Sequence, residues 1–266
     1  MSRKALLIGI NYTNSDNQLR GCYNDICAMR DYLHTRGYSI VMMSDNSDCN
    51  SSDRSSDTLL PTRDNIIAQM NLLVQNATAG DQLFMHYSGH GTSVSDSSSG
   101  SIDERDGADE AICPCDYDTA GVILDDELHQ ILVLGLPAGV KLRVVFDSCH
   151  SGSCLDLPYR FLHVGYYKEN NNVVHANVVT ISGCKDPQTS ADLSYSIDSD
   201  TSKTYDNGSQ EDIPGGALTQ VLLPLLTQQK SWKKLVVGLQ LELSKYSQIP
   251  QLCVSNEKIG DDIVDI

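Results

Sequence analysis

The chain has 266 residues, 40% of them hydrophobic, and a formal net charge of -16. That length suffices for one α/β domain with a sizeable core, and no apolar run approaches the roughly 20 residues that span a bilayer. The acidic balance serves solubility, suits divalent metals or basic peptides as partners, and argues against nucleic acid, whose binders present a basic face.

The stretch KALLIGI, residues 4–10, reads as a buried strand. A helix from about Asn24 to Arg36 sets Ile26, Met29 and Leu33 at helical spacing and stops at Gly37. Tyr38 to Met43 is a second strand, and the Ser-, Asp- and Asn-dense Ser44 to Thr58 reads as a mobile surface loop. Thr62 can cap a helix from about Arg63 to Gln75 with Ile66, Ile67, Met70, Leu73 and Val74 inward. Asp81 to Tyr87 is a third strand ending in HYSGHG. A polar loop, Ser93 to Asp106, and a short extended piece, Ala111 to Cys115, follow. Asp125 or Asp126 starts a helix through about Leu134. Lys141 to Phe146 is a strand running into VVFDSCHSGSC, and Asn177 to Ile181 is another, ending in SGC. After a third polar loop, Ser194 to Asp212, two helical runs cover about 217–227, where Pro224 should cause a kink, and 232–246. Pro250 to Ser255 is a last strand.

Strands alternating with helices predict an α/β fold, a mostly parallel central sheet with helices on both faces. Sites in such sheets form beyond the carboxyl ends of the strands. Tyr87–Gly91, Asp147–Cys149 and Ser182–Cys184 all stand at such ends.

Nine cysteines, at 22, 27, 49, 113, 115, 149, 154, 184 and 253, are odd in number and irregular in spacing. The basic Arg3-Lys4 precedes only a short apolar run without a small-residue cleavage site, so no signal peptide is expected. Reduced thiols in a cytoplasmic or nuclear protein follow. Cys113-Pro-Cys115 lacks zinc-ligand spacing.

A thiol becomes a nucleophile as the thiolate, and needs a base nearby. His150 adjoins Cys149, but neighbouring side chains of an extended segment point to opposite faces. His90 lies just past another strand end between glycines that permit close backbone approach. Cys149 as nucleophile and His90 as general base form a candidate dyad, with the backbone N–H groups of Gly91 and Cys149 as candidate oxyanion donors. Taken singly, each stretch equally suits a tight turn or a structural buried cysteine.

HYSGHG and VVFDSCHSGSCLDLPY resemble the p20 region of type I metacaspases, caspase-like cysteine peptidases. KALLIGINY, LRGCYNDI, PTRDNI, GVILDDELH, LPAGVKLRVVFD and VTISGCKDPQTSAD fit the same pattern, and GGALTQVLL resembles the start of the p10 region. The resemblance implies a single caspase-like catalytic domain over 1–266, p20-like over 1–168 and p10-like over 169–266. It implies His90 and Cys149 as the dyad, with His150 a residue of the motif and not the base. Cys22, Asp25, Ser88 and Asp147 match the family's primary specificity pocket. Two carboxylates in one pocket bind a cation and reject an acidic side chain, so cleavage after Arg or Lys is expected.

The family's calcium site matches Asp109, Asp125, Asp126 and Asp156, and implies Ca2+ as an activator that orders loops beside the cleft, not as a catalytic metal. On residues alone, Asp125-Asp126 equally suits a helix N-terminus. Zymogen self-cleavage is implied, with Lys168 the preferred site and Lys203 the second. Basic-residue-containing proteins or peptides are the expected partners, and a monomer the expected state. No Pro/Gln-rich or zinc-finger stretch precedes the matching region; such a segment was either removed or never present, and autoinhibition by it stays open. A non-proteolytic caspase-fold scaffold in stress or death signalling is the alternative reading.

Overall fold

A computed structural model describes residues 1–46, 58–95, 108–148, 155–162, 165–183, 192–195, 213–228, 231–246 and 248–266. In chain order the elements are β1 (Arg3–Gly9), α1 (Cys22–His34), β2 (Ser39–Ser44), α2 (Arg63–Val74), β3 (Gln82–Ser88), β4 (Gly91–Ser95) and β5 (Ala108–Ile112). Then come α3 (Tyr117–Ala120), β6 (Ile123–Leu124), α4 (Asp125–Leu132), β7 (Lys141–Asp147), β8 (Tyr159–Leu162), β9 (Gly165–Lys168) and β10 (Asn177–Ser182). The last are β11 (Asp192–Tyr195), β12 (Ile213–Gly216), α5 (Ala217–Leu226), α6 (Trp232–Leu243) and β13 (Gln251–Val254).

Leu6 and Ile8 of β1 enter one core and Ala5 and Leu7 the other, as the pleat requires of a strand covered on both sides. The main sheet has eight strands in the order β2-β1-β3-β7-β10-β13-β8-β9. The first five are mutually parallel. β13 turns antiparallel to β10, and β8 and β9 continue in antiparallel pairing. α2 and α4 cover one face through Ile66, Met70, Leu128 and Leu132. α1, α5 and α6 cover the other through Ile26, Met29, Leu222 and Leu239. Thr62 caps α2 as expected, accepting from the Asn65 N–H at 3.4 Å. Among the described residues no helix is long and apolar enough to cross a membrane.

The mostly parallel sheet with helices on both faces is as the sequence predicted. Of the small sheet β4-β5-β6 the extended piece Ala111–Cys115 was expected and overlaps the end of β5; β4, which takes up the start of the loop Ser93–Asp106, and the pairs β8–β9 and β11–β12 were not predicted. They are short, and partly polar or glycine-rich, with no sustained period to betray them. Ser47 to Asp57 of the first polar loop, and most of the other two loops, lie outside the described residues. α5 runs two residues past Pro224 to Leu226.

Candidate active site

The apolar runs of β3 and β7 lie side by side in parallel, with Ser88 opposite Asp147. His90 and Cys149 therefore each follow a paired position by two residues in sequence. Cys149 and His150, with Cys154, lie outside the described residues, as do Cys49, Cys184 and Lys203. Of the described cysteines, Cys22, Cys113 and Cys253 are buried, and Cys27 and Cys115 are half-buried.

His90 is held from several sides. Its backbone N–H donates to Tyr12 Oη at 2.9 Å, and its carbonyl accepts from Tyr87 Oη at 2.6 Å. The imidazole lies against the Tyr12 ring, centroids 4.6 Å apart. Burial raises both phenols well above their ordinary range, so both remain neutral donors at pH 7. Nε2 of His90 lies 2.7 Å from the Asn17 carbonyl oxygen. A carbonyl only accepts, so Nε2 carries the proton and Nδ1 keeps the basic lone pair. Tyr12, Asn17 and Tyr87 were not singled out from sequence. The available signal was that NYTNSDN leaves the carboxyl end of β1, next to β3.

The Cys113 N–H donates to the His90 carbonyl at 3.1 Å, and Gly91 stands opposite Ile112. That makes Gly91–Ile112 a non-hydrogen-bonded pair, and turns the Gly91 N–H away from β5 at the outer edge of its sheet.

Asp25 and Asp147 are 2% and 4% exposed and meet at the start of α5. Asp25 sits in the first turn of α1, yet its carboxylate accepts from Ser88 Oγ at 2.7 Å and from the Gly216 N–H at 2.9 Å. Asp147 Oδ2 accepts from the Thr219 N–H and from Thr219 Oγ1, each at 2.8 Å. A Cβ on Gly216 would collide with Asp147 Oδ2 and lie 2.8 Å from Asp25 Oδ2, so only glycine fits between the carboxylates. Cys22 is buried beside them, its N–H donating to Asn11 Oδ1 at 3.1 Å. The structure thus brings Asp25, Ser88 and Asp147 together, with Cys22 three residues before Asp25 on the same helix. Gly216 and Thr219 were not picked out from sequence. The two carboxyl groups thus lie together at the helix N-terminus, each held by donors from α5.

Asp125, Asp126 and Asp156 each offer a carboxylate oxygen within 4.8 Å of the others. Burial, helped by the charges of Asp109 and Asp126, pushes the Asp125 carboxyl up to about 6, although the Glu110 and Asp126 N–H groups oppose the shift. Asp109 adjoins Glu110 on β5, whose N–H reaches Asp125 Oδ2 at 3.0 Å. Asp109 acts on the cluster by its charge; the close set is the other three. An all-oxygen set of crowded carboxylates fits a hard divalent cation such as calcium. Asp156 takes a left-handed backbone, φ 42°. Its loop is tied to α4 by His129 Nδ1, 2.8 Å from the Leu155 carbonyl oxygen.

Lys168 ends β9, with Nζ on Asn171 Oδ1 at 2.7 Å, and it pairs with Tyr159 of β8. The next N–H, of Glu169, donates to the Pro158 carbonyl at 2.9 Å, and the Glu169 carboxylate is ion-paired with Arg160.

The family described as metacaspase, peptidase C14 domain, matches residues 3–158. Metacaspase-1 of Schizosaccharomyces pombe is 38% identical over 96% of this chain and 67% of its own length. Metacaspase-1 of Mycosarcoma maydis is 36% identical over 96% and 70%, and that of Ajellomyces capsulatus 39% over 96% and 80%. The crystal structure of a Geobacter sulfurreducens protein superposes with a TM-score of 0.65 at 22% identity, covering 100% of both chains, a likeness of fold.

Proposed function

The chain belongs to the metacaspase family and so to the cysteine peptidases, and on that premise we propose that it is an endopeptidase that cuts after Arg or Lys. The observation that carries this reading is the meeting of the Asp25 and Asp147 carboxylates at Gly216, one strand end away from His90. A guanidinium or ammonium entering there gains two buried countercharges, while an aspartate side chain meets only repulsion.

In the proposed reaction His90 Nδ1 takes the Cys149 proton, and the thiolate attacks the scissile carbonyl. The oxyanion is held by the N–H groups of Gly91 and Cys149. The imidazolium, its Nε2–H still on the Asn17 carbonyl, gives its proton to the leaving amine. Water, deprotonated by His90, then hydrolyses the thioester and restores the thiol.

Asp125, Asp126 and Asp156, with Asp109 alongside, would hold the activating calcium. Bound there, it would supply positive charge that offsets the repulsion among these carboxylates, and Asp156 and Asp126 would join the 155–158 segment to α4. Self-cleavage after Lys168 requires β9 to leave β8, since the scissile peptide lies at the paired end of that strand. We take the substrates to be proteins or peptides with exposed basic residues, met in the cytoplasm or nucleus by a monomer.

Hydrolysis of matched fluorogenic peptides ending in Arg, Lys or Asp tests the reading. It should be run with calcium and with chelator, on wild type, Cys149→Ala and His90→Ala. Arg and Lys cleavage that requires calcium and falls about 10²–10⁴-fold in His90→Ala is expected, with none in Cys149→Ala. Cleavage after Asp would refute the pocket assignment, and no cleavage by wild type in any condition would favour the scaffold reading.

A further inference from the structure

His86, on β3, is fully buried at 0% exposure. Its Nε2 lies 3.1 Å from Thr219 Oγ1, the hydroxyl that is itself 2.8 Å from Asp147 Oδ2. Proton counting fixes the direction of this chain. With Asp147 ionised, as the pocket reading requires, its carboxylate only accepts, so the single hydroxyl proton of Thr219 goes to Asp147. The hydroxyl oxygen must then accept, so His86 carries its proton on Nε2. Nδ1 is left buried with no hydrogen-bond partner among the described residues. Burial holds the ring neutral, with its pKa lowered to about 3.

A buried ring nitrogen without a partner costs stability that Leu or Phe at this position would not incur. Packing alone therefore does not account for an imidazole here. What the ring contributes is one directed N–H, aimed at the hydroxyl that holds Asp147.

We propose that His86 and Thr219 are positioning residues for the substrate-binding carboxylate. His86 Nε2–H orients the Thr219 hydroxyl, and the Thr219 hydroxyl and N–H together fix Asp147 Oδ2, so that the carboxylate presents one orientation to the incoming side chain. The inference rests on Asp25 and Asp147 being the pocket for a basic residue. It adds a specificity consequence. A planar guanidinium bonds a carboxylate through a fixed fork and depends on its orientation, whereas an ammonium is a point charge and tolerates rotation. The relay therefore favours Arg over Lys.

The test measures KM and kcat on peptides differing only in Arg or Lys before the scissile bond. The variants are Thr219→Val and His86→Leu, which break the relay, and Thr219→Ser and His86→Gln, which keep a hydroxyl or an N–H donor. Agmatine, a free guanidinium compound, is titrated calorimetrically in the Cys149→Ala background as a readout independent of turnover. Breaking the relay should raise KM for the Arg peptide about tenfold, with a smaller rise for Lys and kcat within about threefold. Agmatine binding should weaken in parallel, and Thr219→Ser and His86→Gln should restore most of the Arg preference. If His86→Leu does not unfold cooperatively, Thr219→Val decides, since it removes one hydroxyl at nearly constant volume. Unchanged Arg/Lys ratios in Thr219→Val, with that preference lost in Asp147→Asn, would overturn the relay and leave the pocket standing. An Arg preference that survives Asp147→Asn would overturn the pocket and the relay with it.

Discussion

The role of base proposed for His90 rests on where its proton is kept. The Asn17 carbonyl fixes it on Nε2, so the imidazole needs no carboxylate partner to set its tautomer. His86, four residues earlier, is a histidine put to the opposite use: it is held neutral by burial, its pKa lowered to about 3 from an unfolded value near 6.5. As pH falls below about 6.5 the unfolded chain takes up a proton that the folded chain refuses. The stability owed to neutral His86 is thus complete above that pH and is lost progressively toward pH 3, by at most about 1.4 kcal/mol per unit. Urea unfolding at pH 7 and pH 5 should show a smaller loss in His86→Gln than in wild type. Equal losses would mean that the folded state protonates this ring. The sequence marked the histidine of HYSGHG that follows the strand and passed over the one inside it. A strand residue buried on both faces carries no local sign of the hydroxyl it meets 133 residues later.

At the scale of elements, the N-terminus of α5 organises the pocket. Its amides, at Gly216 and Thr219, reach both aspartates. Gly216→Ala should force the carboxylates apart and lower kcat/KM on Arg substrates about 100-fold, with the Tm lowered by a few degrees as the buried site is overpacked. Retention of full activity would show that the carboxylates need not meet at that point. Asp25 illustrates what the chain alone could not decide. A first-turn aspartate usually serves its own helix, but this one bonds partners 63 and 191 residues distant. The contact between α4 and the 155–158 loop makes a second prediction. In Asp126→Ala, calcium should no longer raise peptide hydrolysis, while the chelator-treated rate stays near that of chelated wild type. A calcium dose–response unchanged by the substitution would remove Asp126 from the site.

For the whole molecule, the parallel half of the sheet was legible because its strands are apolar runs and helices of apolar period recur between and after them. The antiparallel end was not, because β8 and β9 are four residues each and rich in tyrosine and exposed side chains. That hairpin covers β13 and leaves β9 and β2 as the outer strands of the main sheet, which supports the monomeric state proposed for it. The net charge of -16 adds a field that would favour the approach of the basic substrates proposed for it.

The most direct measurement compares kcat/KM for two peptides identical except that one carries Arg and the other citrulline, its uncharged isostere, before the scissile bond. If the proposed pocket is right, the Arg peptide should be favoured by about 10²-fold or more, and Asp25→Asn or Asp147→Asn should erase most of that margin. Equal turnover of the two peptides by the wild-type enzyme would contradict recognition of a charged side chain at this pocket.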